Sequence, residues 1–327
     1  MRAVVVREFG APERMALEDV REPEPGPGEI LVGVRAAGVN FPDLLVVRGE
    51  YQILPEPPFS PGKEVAGIVE AVGNGVSEFR VGERVMAQME YGGYGEKVVA
   101  KAANAAVMPS GMGFEEAAAF GLVNLTAYFA LVRRARLLPG ETVLVTGAAG
   151  GVGSAGVQLA KAFGATVIAT ASTEEKRALA MGLGADHAIE PDPGPLKERV
   201  RGLTGGRGAD VILESVGGDL FDASLRAIAW EGRLVVIGFA SGRIPTVKAG
   251  HVLVKNVSVV GLQVSDYRER EPEAVREAYE VLLELYAKGR LRAHVAKIHP
   301  LENAAEALEE VRTGRAGGKV VLTTGGR

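Results

Sequence analysis

A glycine-rich turn in the middle of the chain has the residue types and spacing to bind a phosphorylated coenzyme. Val143, Leu144 and Val145 form an apolar run that breaks into glycines, and residues 151–163 then have the composition of a helix. A strand that enters a helix through such a turn directs the unpaired N–H groups of the helix at one point. A pyrophosphate binds there when no side chain blocks its approach. The turn therefore predicts a dinucleotide-binding site.

Two glycine registers fit the dinucleotide fingerprint. Gly151-x-Gly153-x-x-Gly156 matches it literally, whereas Ala148-x-Gly150-x-x-Gly153 has alanine at the first position. We prefer the second register, because Gly156 lies too far inside the predicted helix to form the turn. A glycine-rich loop without a ligand is the alternative. The residues predicted to contact the coenzyme here are Ala148, Gly150, Gly151, Val152 and Gly153.

The end of the next predicted strand, 166–171, favours NADPH over NADH. Folds that bind NAD usually place Asp or Glu about 20 residues after the glycines, where the carboxylate binds the ribose 2′-hydroxyl. This chain has Ser172 and Thr173 there, followed by Lys176, and small hydroxyls with a lysine suit a 2′-phosphate. Ser172-x-x-Glu175 also fits a capping box. Both interpretations hold together if Ser172 caps the helix while the Lys176 side chain extends back to the 2′-phosphate.

Composition excludes several other classes of protein. The chain has 327 residues, 47% of them hydrophobic and 24% charged, which is ordinary for a globular protein with two domains. A net charge of −4 argues against a broad nucleic-acid interface, which requires a basic surface. No run approaches the length of a membrane span. The chain opens on a strand pattern rather than a leader, and we expect it to be cytoplasmic.

The absence of cysteine limits the possible chemistry further. It removes disulfides, thiolate nucleophiles and cysteine-ligated zinc together. Four histidines remain, and only His294 and His299 are close in sequence, at a spacing that puts them on different faces of a helix or strand. We therefore predict no metal site.

Strands and helices alternate from about residue 121 onward. Such alternation predicts an α/β fold with a doubly wound parallel sheet and crossover helices on both faces. Short strands separated by Gly and Pro before that point indicate a barrel-like β domain, which the C-terminal tail completes. The nicotinamide is then expected in a cleft between the domains. The predicted boundaries are 1–122 with 267–327 for the β domain, and 123–266 for the dinucleotide-binding domain; the predicted elements after residue 121 are strands 142–146, 166–171, 209–214, 233–238 and 318–322, and helices 151–163, 174–183, 220–229, 272–288 and 302–313.

Six motifs are spread along the chain: Ala37-Gly-Val-Asn-Phe-Pro-Asp43, Pro61-Gly-Lys-Glu-Val-Ala-Gly67, Gly93-Tyr-Gly-Glu96, Leu125-Thr-Ala-Tyr128, the glycine turn and Gly318-Lys-Val-Val321. Together they resemble the medium-chain dehydrogenase/reductase superfamily over nearly the whole chain. Its zinc-dependent members place a ligand Cys where this chain has Asn40 and a ligand His where it has Lys63. The closest resemblance is therefore to the zinc-free quinone oxidoreductases of the zeta-crystallin group. It implies a Rossmann domain, a GroES-like β-barrel catalytic domain, NADPH and a quinone substrate.

The missing metal ligands agree with quinone chemistry. Hydride transfer from an alcohol requires that a developing alkoxide is stabilised or that the alcohol proton is removed, and zinc supplies the Lewis acid for this. No tyrosine in this chain has a lysine four residues later, so the Tyr-x-x-x-Lys alternative is also absent. A quinone needs less help, because hydride addition gives an aromatic and fairly acidic hydroquinone.

Four residues are predicted to act on the substrate. The resemblance places Asn40 at the nicotinamide or the substrate oxygen, with Asp43 beside it; Asx-turn chemistry is the alternative for both, and the functional role is favoured for Asn40. Tyr51 lies on a loop where its phenol can donate to a quinone oxygen, or to the enolate in an enoyl reduction; a packed surface tyrosine is the alternative. Lys63 either favours an anionic product or pairs structurally with Glu64.

Further coenzyme contacts follow from position and resemblance. The resemblance puts the hydroxyl of Thr126 at the nicotinamide, against the alternative of a helix residue bonded to its own backbone. Val216, Gly238 and Phe239 follow buried strands of the parallel sheet and are expected near the nicotinamide. Lys319 and Arg315 are additional candidate partners of the coenzyme.

Two rival functions and one assembly state complete the predictions. An NADPH-dependent enal or enoyl-thioester reductase would use the same scaffold, and a crystallin-like protein that binds NADPH without catalysis is consistent with the same residues. The apolar stretch Val257–Leu262 predicts an exposed sheet edge, and we expect a homodimer to cover it.

Overall fold

The computed structural model describes residues 1–325, which form two compact units. The first comprises Met1–Leu122, Ser265–Leu283 and the C-terminal segment from Arg292, and the second comprises Val123–Val264 and Glu284–Leu291. The strands are β1 (Arg2–Val5), β2 (Ala16–Asp19), β3 (Glu29–Val39), β4 (Glu64–Val72), β5 (Arg84–Gln88), β6 (Lys97–Lys101), β7 (Ala105–Val107), β8 (Thr142–Val145), β9 (Thr166–Thr170), β10 (His187–Ile189), β11 (Ala209–Glu214), β12 (Ile228–Val236), β13 (Ser258–Gly261), β14 (Val295–Pro300) and β15 (Lys319–Thr323). The helices are α1 (Phe41–Arg48), α2 (Phe114–Tyr128), α3 (Gly151–Ala162), α4 (Glu174–Gly182), α5 (Leu196–Leu203), α6 (Gly218–Ala227), α7 (Ala249–Lys255), α8 (Val264–Arg270), α9 (Pro272–Ala287) and α10 (Ala304–Thr313).

The first unit is built on a mostly antiparallel sheet with strand order β14-β15-β3-β4-β5-β7, and β6 also pairs with β3. The long strand β3 is buried along most of its length, because it pairs with three strands and is rich in Val, Ala and Leu. Strand β15 comes from the end of the chain and pairs antiparallel with β3, with Val321 opposite Gly38. The tail therefore completes the sheet whose strands β3 and β4 are directly followed by Asn40 and directly preceded by Lys63, respectively.

The second unit is a six-stranded parallel sheet with order β10-β9-β8-β11-β12-β13. Strands β8 and β11 are buried throughout apart from Asp210, as their apolar and β-branched composition requires. The chain leaves β8 for β9 on one side and later returns to β11 on the other, so β8 marks the point where strand order reverses. Ligands of such sheets bind at the carboxyl ends of the strands at this point. The predicted doubly wound α/β class is confirmed.

Most predicted elements agree with the structure to within a few residues. The strand predicted at 233–238 differs, since β12 begins at Ile228 and ends at Val236. Its first part contains a local irregularity, where Glu231 adopts a φ of +59° before Gly232 and the register with β11 shifts. Across residues 1–325, none of the helices combines the length and the apolar character that crossing a membrane requires.

Candidate active site

The turn between β8 and α3 depends on two glycines. Gly147 has a φ of +60°, in the left-handed region. A Cβ on Gly153 would stand 2.2 Å from the carbonyl oxygen of Gly147 and 2.7 Å from the Cα of Ala148. Gly156 lies inside α3, where a Cβ would come within 2.3 Å of the Leu213 side chain. Gly156 therefore allows α3 to pack on the sheet, and the left-handed turn residue is Gly147, which neither predicted register contained.

The start of α3 presents backbone donors to one point. Gly150 is the N-cap, and the N–H of Ser154 donates to its carbonyl oxygen at 2.8 Å as the first bond of the helix. The amides of Gly151, Val152 and Gly153 precede that bond and have no acceptor within the helix. A backbone cradle without side chains at a positive helix end suits the pyrophosphate of a dinucleotide. The five residues predicted from the fingerprint are therefore brought together.

The end of β9 is close to the prediction, with one correction. Thr173, not Ser172, is the N-cap of α4, and its Oγ1 accepts the backbone N–H of Lys176 at 3.3 Å. The predicted Ser172 cap was wrong because Thr173 is the last extended residue before the helix begins at Glu174. Ser172 is consequently an exposed residue between the strand and the cap. Its hydroxyl is not used by the cap.

Arg177 is a second basic residue at this place, which the sequence analysis did not identify. Its Nη1 donates to the carbonyl oxygen of Ala171 at 3.2 Å, and its Nη2 lies 3.7 Å from Glu190 Oε1. The first bond holds the guanidinium against the end of β9. The sequence signal that could have identified Arg177 was its position next to Lys176, in the first turns of α4.

The loops after β11 and β12 bring three further predicted residues together. The backbone N–H of Ser241 donates to the carbonyl oxygen of Val216 at 2.8 Å. Gly217 has a φ of +75°, and a Cβ there would lie 3.2 Å from the Phe239 ring. Val216, Gly238 and Phe239 thus share one rigid corner at the carboxyl ends of neighbouring strands.

A buried carboxylate fixes this corner. Glu214 accepts the backbone N–H groups of Val216 and Gly217 at 3.1 and 3.0 Å and the hydroxyl of Thr146 at 3.1 Å. Burial raises the pKa of Glu214, while these three donors oppose the rise. Glu214 was not predicted, because an acidic residue that ends a strand has no distinguishing pattern in one dimension.

Asn40 and Asp43 stand at the start of α1 in the first unit. Asn40 is the N-cap, and its backbone N–H donates to Asp43 Oδ2 at 2.8 Å. The hydroxyl of Tyr94 donates to the same oxygen at 3.0 Å, whereas Asp43 Oδ1 is buried with no hydrogen-bond partner. Burial raises the pKa of Asp43 to about 6, against the lowering effects of Lys63 and of the Asn40 N–H. Asp43 therefore both caps the helix and titrates near neutral pH.

Replacing Asp43 by asparagine is expected to remove a pH dependence of stability. Because the pKa is raised from 3.8 to about 6 by folding, the folded chain holds this proton more tightly. Its contribution is complete below pH 4 and is lost as pH rises through 6, by about 3 kcal/mol. Urea unfolding followed by circular dichroism should show that the wild-type stability relative to Asp43→Asn falls by this amount between pH 4 and 7. A stability difference between wild type and Asp43→Asn that does not change with pH would contradict the raised pKa of Asp43.

Asn40, Glu64 and Lys319 form a buried polar group that we call the Glu64 cluster. The Lys319 ammonium donates to Glu64 Oε1 and Asn40 Oδ1, both at 2.7 Å, and to the carbonyl oxygen of Val39 at 3.1 Å. All three hydrogens of Lys319, which was predicted to be a coenzyme partner, are thus donated inside the first unit. No pattern in the sequence predicted these contacts, because β15, which carries Lys319, pairs with β3 only in three dimensions.

Hydrogen bonds within the Glu64 cluster limit which atoms of Asn40 can contact a ligand. Its Nδ2 donates to Glu64 Oε1 at 3.0 Å and to the carbonyl oxygen of Gly38 at 3.2 Å, so both amide hydrogens are used. A Cβ on Gly38 would lie 2.5 Å from Glu64 Oε1, so that glycine makes room for the carboxylate. The other oxygen of Glu64 accepts the N–H of Leu122 at 2.9 Å. Asn40 Oδ1 is therefore the atom of this side chain that can accept a hydrogen bond from a ligand.

Tyr51 and Lys63 lie together in the first unit. The Lys63 ammonium is 4.6 Å from the centroid of the Tyr51 ring, a cation–π distance. It also donates to Glu90 Oε2 at 2.7 Å and to the Glu90 carbonyl oxygen at 3.1 Å. Arg268 donates to the other oxygen of Glu90. We call Lys63, Glu90 and Arg268 the ion-pair triad. The predicted alternative of a Lys63–Glu64 pair was wrong, since Glu64 bonds Lys319.

Thr126 and Arg315 complete the account of the predicted residues. Thr126 lies near the end of α2 and is buried. Arg315 follows α10 in the first unit, where its backbone N–H donates to the carbonyl oxygen of Glu310 at 3.2 Å. The structure adds Glu90 and Arg268 to the candidate residues. They are 178 positions apart, and no sequence pattern connects them.

The donor set of the first unit does not suit a zinc ion. Zinc requires lone-pair donors from Cys, His or carboxylates. At the compared positions the chain presents the ammonium of Lys63 and an amide, Asn40, whose oxygen already accepts from the Lys319 ammonium. The Lys63 ammonium has no lone pair to offer to a zinc ion, and its positive charge repels that ion. Residues 1–325 also contain no group of three or more His, Cys, Asp or Glu side chains arranged to hold a metal.

Comparison with known proteins agrees with this architecture. Residues 26–133 match the family model described as alcohol dehydrogenase GroES-like domain, and residues 151–280 match the model described as zinc-binding dehydrogenase. The chain is 39% identical to a quinone oxidoreductase-like protein 2 homolog of Nematostella vectensis, over 99% of this chain and 89% of that protein.

Two solved structures are similar over nearly their full lengths. One is the Escherichia coli quinone oxidoreductase complexed with NADPH, with a TM-score of 0.92, 33% identity and coverage of 99% of this chain and 100% of that one. The other is mycobacterial Rv1454c complexed with NADPH, with a TM-score of 0.94, 35% identity and coverage of 99% and 100%. A Rossmann unit and a GroES-like unit define an oxidoreductase of the medium-chain dehydrogenase/reductase superfamily. Within it, the chain belongs to the quinone oxidoreductases.

Proposed function

We propose that this protein is an NADPH-dependent quinone oxidoreductase that works without zinc. The observation that carries the proposal is the buried Lys63 ammonium at 4.6 Å from the Tyr51 ring, where zinc-dependent relatives have a ligand. The related Escherichia coli and mycobacterial structures in complex with NADPH support the choice of coenzyme. The glycine turn of the second unit supplies the matching phosphate cradle.

Two sets of residues in this chain bind two different phosphate groups of the coenzyme, the pyrophosphate and the 2′-phosphate. The first-turn amides of α3, at Gly151, Val152 and Gly153, hold the pyrophosphate. Ser172 and Lys176, with Arg177 beside them, take the 2′-phosphate, because hydroxyl and cationic donors replace the carboxylate that would repel it. When bound, NADPH supplies a hydride.

On the substrate side, Lys63 and Tyr51 manage the charge that reduction creates. A quinone that accepts a hydride becomes a hydroquinone anion, and one proton completes the hydroquinone. The Lys63 ammonium, buried and already paired, stabilises negative charge on the quinone oxygen in a site of low dielectric. The Tyr51 phenol donates a hydrogen bond to that oxygen, and solvent supplies the proton.

The proposal is tested by NADPH oxidation with a panel of benzoquinones and naphthoquinones. We expect turnover that is unchanged by EDTA, together with less than a stoichiometric amount of zinc in the purified protein. Absence of turnover across the panel would defeat the proposal. Tight NADPH binding without turnover on quinones or enals would instead select a crystallin-like, non-catalytic protein.

The contact between Tyr51 and Lys63 also favours a second candidate, reduction of an enal or enoyl thioester. Hydride addition to such a substrate gives an enolate that requires a proton, and a phenol held against an ammonium is suited to donate it. In that case Tyr51→Phe should lower enoyl turnover by about 100-fold. For a quinone, whose product anion is protonated by water, we expect a loss below about 10-fold. The two substrate classes assayed on one pair of proteins separate the candidates.

A homodimer and a cytoplasmic location are the remaining parts of the proposal. Strand β13 is the last strand of its sheet, as the stretch Val257–Leu262 predicted, and Leu253 and Val254 on the preceding α7 are largely exposed. A second copy pairing along this edge would bury them. Sedimentation that showed only a 34.2 kDa species at micromolar concentration would contradict the dimer.

A further inference from the structure

The ion-pair triad places two buried cations on one carboxylate. Lys63 and Arg268 have side chains only 4% and 3% exposed, while Glu90 is 25% exposed and bonds one cation with each oxygen. Removing an ion from such a group leaves its partner without compensation in a poorly solvated place. The position of the Lys63 ammonium therefore depends on Glu90 more than on its own flexible stem.

A second layer of hydrogen bonds fixes Arg268 in turn. Its Nη1 donates to Gln88 Oε1 at 2.9 Å, and Gln88 Nε2 donates to the hydroxyl of Tyr279 at 2.8 Å. Arg268 lies on α8 and Tyr279 on α9, whereas Gln88 ends β5. The guanidinium is thus held at both of its terminal nitrogens, and it presents a fixed donor to Glu90.

The triad ends at the face of Tyr51. The Lys63 ammonium donates to two oxygens of Glu90 and lies over the aromatic ring at 4.6 Å from its centroid. Of the other charged groups, Asp43 interacts electrostatically with Lys63, while Glu64 is neutralised by Lys319. Glu90 is therefore the carboxylate in direct contact with the ammonium.

We propose that Glu90 and Arg268 are positioning residues that hold the Lys63 ammonium against the Tyr51 ring and so set how strongly the site stabilises the substrate oxyanion. Neither residue touches the substrate in this scheme. The inference rests on the proposed function, since it assigns the oxyanion to a reduced quinone or enone. It extends that function from two residues of the connection between α1 and β4 to the segment Ser265–Leu283, which carries Arg268.

A double-mutant cycle tests the kinetic consequence. We expect Glu90→Gln to lower kcat/KM for the best quinone by 10- to 100-fold, mainly through kcat, because the ammonium is no longer fixed. In a Lys63→Met background, the same substitution should cost less than about 2-fold, since its effect passes through Lys63. Equal losses in the two backgrounds, or full activity of Lys63→Met, would overturn the proposal.

Glu269→Gln is the matched control. Glu269 is the neighbour of Arg268 on α8 and bonds Lys101 at 2.7 Å, but the side chains of Glu269 and Lys101 are both more than half exposed to solvent. An exposed ion pair contributes little to stability or position. Activity within about 2-fold of wild type is expected, and a loss as large as that of Glu90→Gln would show that any charge removed near α8 has the same effect.

A coenzyme-free measurement separates this inference from the proposed function. A short pulse of acetic anhydride on the apo-protein, read by peptide mass spectrometry, should leave Lys63 protected in wild type and Glu269→Gln. In Glu90→Gln and Arg268→Gln we expect Lys63 to react at least about 10-fold faster. Unchanged protection would overturn the positioning role even if quinone turnover is observed. Increased reactivity in a protein without quinone turnover would support the positioning and defeat only the proposed function.

Discussion

Gly153→Ala should weaken NADPH binding by about 10- to 100-fold. The new methyl group would meet the Gly147 carbonyl oxygen at 2.2 Å and the Ala148 Cα at 2.7 Å, both of them backbone atoms that cannot rotate away. Relief requires α3 to move away from the turn, which withdraws the first-turn amides from the pyrophosphate. Overpacking of this kind costs about 1–3 kcal/mol, and about 2.7 kcal/mol corresponds to the 100-fold loss.

The enhancement of NADPH fluorescence on titration measures this effect, and two glycines provide matched comparisons. Gly182, at the end of α4, has nothing within 4 Å of a new Cβ, so Gly182→Ala should bind NADPH like wild type. Gly156→Ala meets the flexible Leu213 side chain at 2.3 Å and should lower stability with little change in affinity. Wild-type affinity of Gly153→Ala would show that the turn does not hold the coenzyme.

Lys319→Met should destabilise the first unit by about 3–5 kcal/mol. The methionine removes the ammonium that neutralises Glu64, whose side chain is only 2% exposed. It also leaves the Asn40 Oδ1 and the Val39 carbonyl oxygen without this donor. A buried charge that loses its partner costs this much because neither water nor another cation replaces it.

Native-state hydrogen exchange of β4 and β15 is the suitable measurement. The single tryptophan, Trp230, belongs to the second unit, so its fluorescence does not report on the first. Lys101→Met removes an exposed ion pair of the first unit, with Lys101 56% exposed, and should change stability by less than about 1 kcal/mol. Adding Glu64→Gln to Lys319→Met should recover part of the loss. Equal losses of stability in Lys319→Met and Lys101→Met would contradict the expectation that a buried ion pair matters more for stability than an exposed one.

The second unit could be predicted closely from the sequence because its information is local. The apolar run at 142–146, the glycines and the helix that follows are consecutive, and each element limits the conformation of the next. The structure confirms β8 and α3 there and the parallel order of the sheet. The errors were also local: Thr173 rather than Ser172 caps α4, because either hydroxyl satisfies the same pattern.

The first unit could be predicted only in part. Asn40, Asp43, Tyr51 and Lys63 were singled out from motifs, but their hydrogen-bond partners come from residues far along the chain. Lys319 reaches Asn40 from 279 positions away, and Arg268 reaches Glu90 from 178. Charge pairing over such separations has no periodicity, so neither Glu90 and Arg268 nor the contact of Lys319 with Glu64 could be identified.

The amino-acid sequence by itself determined the α/β class, the phosphate turn and the lack of cysteine ligands, since each depends on residue type and short spacing. Only the tertiary structure decided which cations are buried and which carboxylate neutralises each. The physical reason is that a buried ion is stable only beside its counter-ion. Such contacts are made where β15 pairs with β3 and where Arg268 of α8 bonds Gln88 and Glu90, and no local pattern specifies either.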